Sequence, residues 1–427
     1  MSSWEIAYVA LSVWAIAQAL VHGLQTWEHR RFARSRVRNV RASGPKGRIA
    51  LLAPCKGIDT QMSANLRALF DQEYDNYEIL FVVESRDDPA ADVIESLIQQ
   101  YPSVDARLII AGRTVWSGQK VHNLMCATRQ LSPEIEYLAF VDSDARPRRH
   151  WLGALIKELD QPDVAATTSY RWCIPRRPTL VNLLLYSIDC SIVPFVGPAR
   201  HHLVWGGSWA IRRDTFEQIG LRNAWRGTVS DDLVTARVLA RTGKRVVFEP
   251  ACVLASPVDM TWTKMFAFIR RQYTLGRMYT PAIWASGFLL TTVSHFTLWL
   301  NLCLSFLCVT GVVPFSPIPL IVATTLYGLY VLRAWIRQNA SRQYLPSWQT
   351  KLRYGRWFDI TLAPVAALLS WAGLVSSAFG NTIDWRGIRY KLSRGGRVLS
   401  IARPPERICV SPPEFSRADS ANCVHVG

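Results

Sequence analysis

Long apolar stretches lie near both ends of the chain and flank a middle of mixed composition. Residues 4–24 form an apolar segment long enough to cross a bilayer. Trp4 and Trp27 lie near its ends, as aromatic residues do at membrane interfaces. Three further apolar segments occupy residues 282–313, 318–336 and 359–379. The pattern predicts a membrane protein with an N-terminal transmembrane anchor and C-terminal transmembrane or interfacial helices.

The middle of the chain alternates between short apolar runs and segments with apolar residues at helical spacing. The runs predict strands within residues 48–56, 77–83, 106–111, 137–141 and 164–170. Helical patterns lie between or after them, at residues 62–73, 90–101, 117–129 and 151–160. This alternation predicts an α/β fold with right-handed βαβ units and a mainly parallel sheet. Because no Gly-x-Gly-x-x-Gly follows the first strand, we do not expect the usual dinucleotide-binding fold.

These patterns divide the chain into five parts. They are an anchor at 1–28, a basic linker at 29–47, the α/β domain at 48–281, transmembrane or interfacial helices at 282–380, and a basic tail at 381–427. The tail is rich in Pro and Ser from residue 403, which predicts disorder there. Residues 180–196 are apolar but contain Asp189 and Pro194. This segment is therefore either a helix at the membrane interface or a buried soluble helix.

Basic residues indicate the side of the membrane on which the α/β domain lies. None precedes the first apolar segment, whereas many follow it: Arg30, Arg31, Arg34, Arg36, Arg38, Arg41, Lys46 and Arg48. The positive-inside rule then predicts an uncleaved anchor and a cytoplasmic domain, with a cleaved signal peptide as the competing interpretation. Four simple crossings would place the basic tail outside. Either residues 359–379 are re-entrant or interfacial, or residues 282–313 are not one simple span, and we favour a cytoplasmic tail.

The charge and the cysteine pattern narrow the expected partners. A net charge of +17 and a pI near 9.8 indicate anionic partners, such as nucleic acid, lipid headgroups or phosphorylated substrates. Beside a predicted span, attraction to anionic lipid is the favoured use of the basic run, and we expect no nucleic-acid partner. Nine Cys residues without a C-x-x-C pair or Cys/His ligand spacing argue against a disulfide framework and a zinc site.

Three acidic elements fall at predicted strand ends or at a helix start. Asp142 and Asp144 follow the strand at 137–141, and alternation along an extended backbone points them the same way. Two such oxygen ligands at the carboxyl end of a parallel strand suit Mg²⁺ or Mn²⁺ bound with a substrate diphosphate. A turn or a helix cap uses the same residue types. The other elements are residues 84–88 and residues 230–232, of which the second is also typical of a helix N-cap.

Several short motifs occur together along the chain. They are Pro54-Cys55-Lys56-Gly57, Asp87-Asp88-Pro89-Ala90, YPSVDAR at 101–107, Lys120 with Asn123-Leu124, Asp142-Ser143-Asp144, Asp231-Asp232, and Trp385-Arg386-Gly387 with Arg389-Tyr390. In their order and spacing the chain resembles the family 2-like glycosyltransferases of GT-A fold, and within them the ceramide glucosyltransferases. The resemblance covers residues 48–282 and extends to the anchor and the C-terminal helices.

The resemblance implies a role for each matching residue. Asp144 and Asp142 would bind Mg²⁺ or Mn²⁺, with Asp144 as the more direct ligand, and Asp232 beside Asp231 would be the general base. Contacts to the nucleotide sugar would come from Pro54, Glu84, Lys120, Asp142, Arg270, Arg271, Gln272 and Tyr273. The family's first nucleotide-binding Asp aligns nearest Ser85. The family's last motif is Gln or Arg, followed by any two residues and then Arg-Trp. At that place this chain has residues 270–273, which supply cations and an aromatic ring but do not match the motif.

The expected activity is an inverting transfer of one sugar, glucose first, from a UDP-sugar to the hydroxyl of a membrane lipid. A ceramide-like acceptor is the first choice, and diacylglycerol or a hopanoid comes next. Because glycines let a ligand approach the backbone closely, we place Gly206, Gly207 and Trp209 on the acceptor side, with a β-bulge as the alternative for the glycine pair.

Two other functions remain as alternatives to lipid glycosylation. A processive polysaccharide synthase would need more spans and a clearer Gln-x-x-Arg-Trp motif. A non-enzymatic protein that binds nucleic acid or lipid through its positive charge would leave the three acidic elements unexplained.

Overall fold

The computed structural model describes residues 2–38, 46–59, 61–196 and 203–404. The strands are β1 (Arg48–Pro54), β2 (Tyr77–Val83), β3 (Asp105–Ile110), β4 (Ile135–Val141), β5 (Val164–Thr168), β6 (Arg171–Pro175), β7 (Ser208–Arg212), β8 (Arg245–Phe248), β9 (Leu254–Val258), β10 (Thr382–Trp385), β11 (Ile388–Leu392) and β12 (Val398–Ala402). The expected disorder from residue 403 falls almost entirely outside the described residues.

The helices include both short elements of the α/β domain and long apolar ones. They are α1 (Ser3–Arg38), α2 (Met62–Phe70), α3 (Ala90–Gln100), α4 (Gln119–Ala127), α5 (Trp151–Ile156), α6 (Leu180–Ile192), α7 (Arg213–Gln218), α8 (Leu221–Trp225), α9 (Asp231–Leu239), α10 (Trp262–Tyr279), α11 (Pro281–Val309), α12 (Ile318–Tyr344) and α13 (Arg353–Ser377). Short 3₁₀ turns lie at Val193–Phe195, Pro250–Cys252 and Pro346–Trp348.

The central sheet has seven strands in the order β3-β2-β1-β4-β7-β5-β8. Neighbours among β3, β2, β1 and β4 pair in parallel, β7 is antiparallel to both β4 and β5, and β8 is parallel to β5. Strands β1, β2 and β4 are buried along nearly their whole length, which is typical of parallel strands covered on both faces. The predicted α/β fold with a mainly parallel sheet is therefore confirmed.

The carboxyl ends of β1, β2 and β4 meet at one edge of this sheet. β1 ends at Pro54, β2 ends directly before Glu84, and β4 ends directly before Asp142. Phe140 in β4 stacks on Trp209 in β7 with ring centroids 3.9 Å apart. This stacking fixes β7 beside β4, so the glycine pair before β7 lies at the same edge. Open α/β sheets bind ligands at such an edge.

Residues 382–402 form a three-stranded antiparallel sheet, β10-β11-β12, that packs on the α/β domain. Along β11, buried and exposed residues alternate, and Ile388, Tyr390 and Leu392 belong to the core. The Tyr390 hydroxyl accepts a hydrogen bond from the backbone N–H of Gln119 at 3.1 Å. The described part of the predicted basic tail is therefore a folded element of the domain. A period of two over only five residues was too short a signal to predict it.

Within the described ranges, four helices are long and apolar enough to cross a membrane: α1, α11, α12 and α13. Helix α1 continues to Arg38, so residues 29–38, which we assigned to a linker, extend this helix. The extension has tertiary contacts, because Ala33 is buried in a cluster with Trp172. The Arg36 guanidinium also lies 2.6 Å from the Glu158 carboxylate.

Helix α13 bends in its middle, and both of its halves contact helices near the α/β domain. Leu362 has non-helical angles of φ −116° and ψ 16°, two residues before Pro364, whose ring disfavours a straight helix. Before the bend, Asp359 accepts a hydrogen bond from Ser187 of α6 at 2.6 Å. After the bend, Ser376 accepts one from Arg270 of α10 at 3.1 Å. This geometry favours the re-entrant alternative, in which α13 enters and leaves the membrane on one side.

A re-entrant α13 gives a testable topology. We expect a tag at the C-terminus and a tag in the exposed turn at Gly243 to be cleaved from the same side of sealed vesicles. A tag in the connection at residues 310–317 should be protected in the same sealed vesicles and cleaved only after the vesicles are permeabilised. The measurement is protease accessibility of each tag, and cleavage of the C-terminal tag from the side of residues 310–317 would contradict it.

Candidate active site

A cavity of about 1140 Å³ begins at the carboxyl edge of the central sheet and continues between the long helices. Near the sheet edge its lining includes the carboxylates of Asp142, Asp144, Asp231 and Asp232. Farther along, its lining comes from α1, α11, α12 and α13 and includes Ile283, Trp284, Leu298, Tyr330 and Leu374. The cavity therefore joins a charged end to an apolar end.

Lys120, in the first turn of α4, lies between two of these carboxylates. Its Nζ is 2.8 Å from Asp142 Oδ1 and 3.2 Å from Asp231 Oδ1. Burial alone would lower the pKa of Lys120, but the neighbouring Asp142, Asp231 and Asp232 raise it above its ordinary value. Burial would raise the pKa of Asp142, but Lys120 and Arg171 hold it below its ordinary value. Lys120 and Asp142 therefore form an ion pair at the sheet edge.

Asp231 and Asp232 begin α9 but lie in different surroundings. Ser230 is the N-cap and accepts a hydrogen bond from the Leu233 N–H, so the N-cap interpretation is confirmed for that residue. Asp231 is 1% exposed, and burial raises its pKa to about 7 against the opposing effect of Lys120. Asp232 is only half-buried, and its Oδ2 accepts a hydrogen bond from the Gly206 N–H at 3.0 Å. Asp232 is thus the more accessible carboxylate.

Asp144 has one satisfied and one unsatisfied carboxylate oxygen. Its Oδ2 lies 2.5 Å from the Arg171 guanidinium, whereas its Oδ1 is buried without a hydrogen-bond partner among the described residues. An orphaned carboxylate oxygen beside Asp142 fits a divalent cation. Within the same residues, no group of three or more His, Cys, Asp or Glu side chains is gathered for a metal. The pair therefore fits a cation whose other ligands come from substrate and water.

Three arginines converge on the charged end of the cavity, and sequence reasoning assigned only one of them to the site. Arg171 comes from β6, Arg271 from α10, and Arg386 from the β10–β11 turn. Arg386 forms a bidentate pair with Asp59, with distances of 2.6 and 2.7 Å. Burial, with Arg171 and Arg386 nearby, lowers the pKa of Arg271 to about 10. Such a cluster of guanidinium groups suits a diphosphate.

The signals for the two missed arginines were weak. Arg386 was visible in the Trp385-Arg386-Gly387 motif, but the motif alone does not show that the tail folds back on the site. Arg171 has no motif, and only the pairing of β6 with β9 brings it beside Asp144.

The structure brings most of the predicted site residues together but not all of them. Pro54, Lys120, Arg271, Gln272, Tyr273, Gly206 and Gly207 line the cavity with the four carboxylates. Three others are outside its lining. Glu84 is buried and accepts hydrogen bonds from Lys56 and Arg403. Burial would raise the pKa of Glu84, but these two cations hold it below its ordinary value. Arg270 donates to Ser376 and to the Phe379 carbonyl, and Trp209 is buried in the sheet.

The glycine pair allows the backbone to approach the carboxylates closely. A Cβ atom on Gly206 would lie 2.8 Å from Asp232 Oδ2, and a Cβ atom on Gly207 would lie 2.8 Å from Asp142 Oδ2. No side chain fits at either distance without a shift of the carboxylate or of the backbone. The two glycines therefore act by close approach, and Gly206 helps to position Asp232.

Gly206→Ala is expected to lower the catalytic rate by about 10²-fold, because the added methyl group displaces Asp232 from its hydrogen bond to the backbone. The measurement is the initial rate of sugar transfer together with the melting temperature. Gly153→Ala is the matched control, because its Cβ would meet only Tyr74 at an ordinary 3.6 Å. Full activity in Gly206→Ala would show that the close approach has no catalytic role.

Comparison with known proteins identifies the family. The sequence model of the family described as "Glycosyl transferase family 21" matches residues 7–398 of the chain. The chain belongs to glycosyltransferase family 21. Ceramide glucosyltransferase 3 of Caenorhabditis elegans is 37% identical to it over 81 residues, which are 19% of this chain and 18% of that protein. The ceramide glucosyltransferase of Komagataella phaffii is 48% identical over 61 residues, 14% of this chain and 12% of that protein.

These local matches span less than a fifth of the length of either relative. Among solved structures, the family 21 chain is similar to the mannosyltransferase PcManGT from Pyrobaculum calidifontis in complex with GDP-Man and Mn²⁺. That similarity has a TM-score of 0.46 and 17% identity, and covers 86% of this chain and 97% of the other. The family 21 match confirms the predicted resemblance to glycosyltransferases.

Proposed function

We propose that this family 21 chain transfers one sugar, with glucose as the first choice, from a UDP-sugar to the hydroxyl of a ceramide-like membrane lipid. The observation that carries the proposal is the continuity of the cavity. One end gathers carboxylates and arginines, and the other is lined by apolar helices long enough to cross a membrane. A charged donor and an apolar acceptor need these two environments in one space. The names of the local relatives favour ceramide and glucose.

The donor would bind at the charged end of the cavity. Lys120, Arg271 and Arg386 would hold the diphosphate, because buried cations form strong hydrogen bonds to phosphate oxygens. Asp144 and Asp142 would hold Mg²⁺ or Mn²⁺, which when bound supplies Lewis-acid stabilisation of the leaving diphosphate. The unsatisfied Oδ1 of Asp144 supports this assignment.

The acceptor would enter from the bilayer between the long helices and present its hydroxyl to Asp232. Two backbone N–H groups, from Gly206 and Leu233, donate to the Asp232 carboxylate at 3.0 and 2.8 Å and fix its orientation at the cavity. As the lipid oxygen bonds to C1 of the sugar, the C1–oxygen bond to the diphosphate breaks and the hydroxyl proton passes to Asp232. Attack from the face opposite the diphosphate inverts C1, so an α-linked donor gives a β-glycoside.

We assign this reaction to the cytoplasmic face of the membrane, because basic residues follow the apolar part of α1 and such residues usually lie on that side. A lipid hydroxyl at the interface would then meet a donor from the cytoplasm.

The deciding experiment is a screen of purified protein with UDP-glucose, UDP-galactose and UDP-N-acetylglucosamine against ceramide, diacylglycerol and a total lipid extract. We expect a monoglycosylated ceramide from UDP-glucose, identified by mass spectrometry, with the β-anomer identified by NMR. Transfer of no sugar to any lipid would overturn the proposal. A product of many sugars would favour a processive synthase.

A further inference from the structure

Polar atoms without hydrogen-bond partners among the described residues lie at the apolar end of the cavity, on Arg333, Gln18 and His295. Arg333 of α12 and Gln18 of α1 both line the cavity. Arg333 Nη2 and Gln18 Oε1 are buried, and neither has a hydrogen-bond partner among the described residues. Buried polar atoms are nearly always paired in folded proteins, because an unpaired one loses its hydration without compensation. A ligand that pairs both atoms would remove that cost.

Arg333 is held in a fixed position by groups that leave Nη2 available. Its Nε donates to Thr26 Oγ1 of α1 at 3.2 Å, and its guanidinium lies 5.7 Å from the ring centre of Phe195. Within the described ranges, no carboxylate forms an ion pair with Arg333. Arg337, one turn farther along α12, is by contrast paired with Asp359. Arg333 is therefore a preorganised donor directed at the cavity.

Gln18 supplies the complementary acceptor. Its Nε2 donates to the Leu290 carbonyl of α11 at 3.1 Å. Because a carbonyl only accepts hydrogen bonds, this contact fixes which end of the amide faces α11 and leaves Oε1 for the cavity. Gln18 lies two helical turns before Thr26, the residue that holds Arg333, so both polar groups lie along one face of α1.

We propose that Arg333 and Gln18 bind the polar backbone of the acceptor lipid and set its specificity. The site selects a lipid with a carbonyl oxygen for Arg333 and an N–H or second O–H for Gln18. An N-acyl amide lipid meets both requirements. A diacylglycerol offers ester carbonyls but no second donor, and a phosphate group would satisfy Arg333 but not the oxygen of Gln18. This inference rests on the proposed function, because the cavity is taken as the acceptor site.

The test compares an N-acyl amide lipid that has one primary hydroxyl with its N-methyl amide, which differs only in the N–H, and with a diacylglycerol, which has ester carbonyls and no N–H. Gln18→Leu is expected to raise the KM for the N–H amide about tenfold and to leave that for the N-methyl amide unchanged. Arg333→Gln is expected to raise the KM for all three by about tenfold or more, and Arg333→Lys should restore part of the loss. In every variant, kcat and the donor KM should stay close to those of the wild type.

Matched controls separate recognition from folding. Gln25→Leu makes the same change on α1, and Arg342→Gln makes the same change on an exposed part of α12; neither residue lines the cavity. Both should behave as the wild type, and melting temperatures in detergent would show whether any variant fails to fold. An unchanged ratio of KM values between the two amides in Gln18→Leu would overturn the inference. Stronger competition by an anionic lipid than by the amide lipid, lost in Arg333→Gln, would also overturn it.

A binding measurement that requires no sugar transfer tests this inference separately from the proposed function. The probe is a radiolabelled N-acyl amide lipid without the reacting hydroxyl, which binds but accepts no sugar. We expect its Kd to rise about tenfold in Gln18→Leu and in Arg333→Gln. If the wild type glycosylates no lipid, the proposed function fails while this measurement still decides the inference. If the wild type glycosylates ceramide and the Kd values do not change, only the inference fails.

Discussion

Asp232→Asn is expected to lower kcat by about 10²–10⁴-fold, the usual contribution of a positioned general base, while UDP-sugar binding stays close to that of the wild type. Asparagine has the same shape and keeps an oxygen for the Gly206 N–H, which lies 3.0 Å from Asp232 Oδ2. It has no basic oxygen to take the proton of the lipid hydroxyl. The measurement is the initial rate of labelled sugar transfer together with donor binding by calorimetry.

Asp214→Asn is a close control for this substitution. Asp214 lies in the first turn of α7, as Asp232 lies in the first turn of α9, but it is remote from the cavity and bonded to Arg212. It should leave transfer unchanged. Full activity in Asp232→Asn would contradict the assignment of the base. If activity were then lost in Asp231→Asn, the base would be the buried neighbour, whose pKa is raised to about 7.

The sequence was most informative where local pattern and sheet geometry agree. Asp142 and Asp144 follow a short buried run, and a parallel strand must place its carboxyl end at the ligand edge. The predicted strand at 137–141 and the observed β4 end at the same residue, so the position of both acids could be predicted. The same reasoning placed Ser230 and Asp232 at a helix start, where one residue caps the helix and the other lines the cavity.

Residues that depend on long-range packing could not be placed in this way. Arg386 contacts Asp59 across 327 residues of sequence, and only the folding of β10–β12 brings the two together. Trp209 was predicted beside the acceptor because it follows the glycine pair. The alternation of side chains along β7 instead directs it into the core, against Phe140. Gln18 and Arg333 look like isolated polar residues in apolar helices until the packing of the helices places both on one cavity.

Asp144→Asn is expected to lower transfer by about 10²–10³-fold, and its main effect should be on the donor. One carboxylate oxygen lies 2.5 Å from the Arg171 guanidinium, and the other is buried without a partner in the part of the chain that the structure describes. The substitution therefore removes the charge that a divalent cation would need. Without a bound cation, the donor diphosphate would face the carboxylate of Asp142. The measurement is the affinity of UDP by calorimetry in EDTA, in Mg²⁺ and in Mn²⁺. We expect either metal to strengthen binding to the wild type and to have little effect on Asp144→Asn.

Asp163→Asn tests whether loss of any Asp–Arg pair has the same effect, because Asp163 lies 2.6 Å from Arg245 at an exposed site far from the cavity. It should keep the metal dependence of the wild type. Equal UDP affinity in EDTA and in Mn²⁺ for the wild type would remove the metal from the proposed reaction. In that case Lys120, Arg271 and Arg386 would be the groups left to stabilise the leaving diphosphate, with Arg171 beside them. Asp144 would then serve to orient Arg171, and Asp144→Asn would lose activity to the same extent with or without metal.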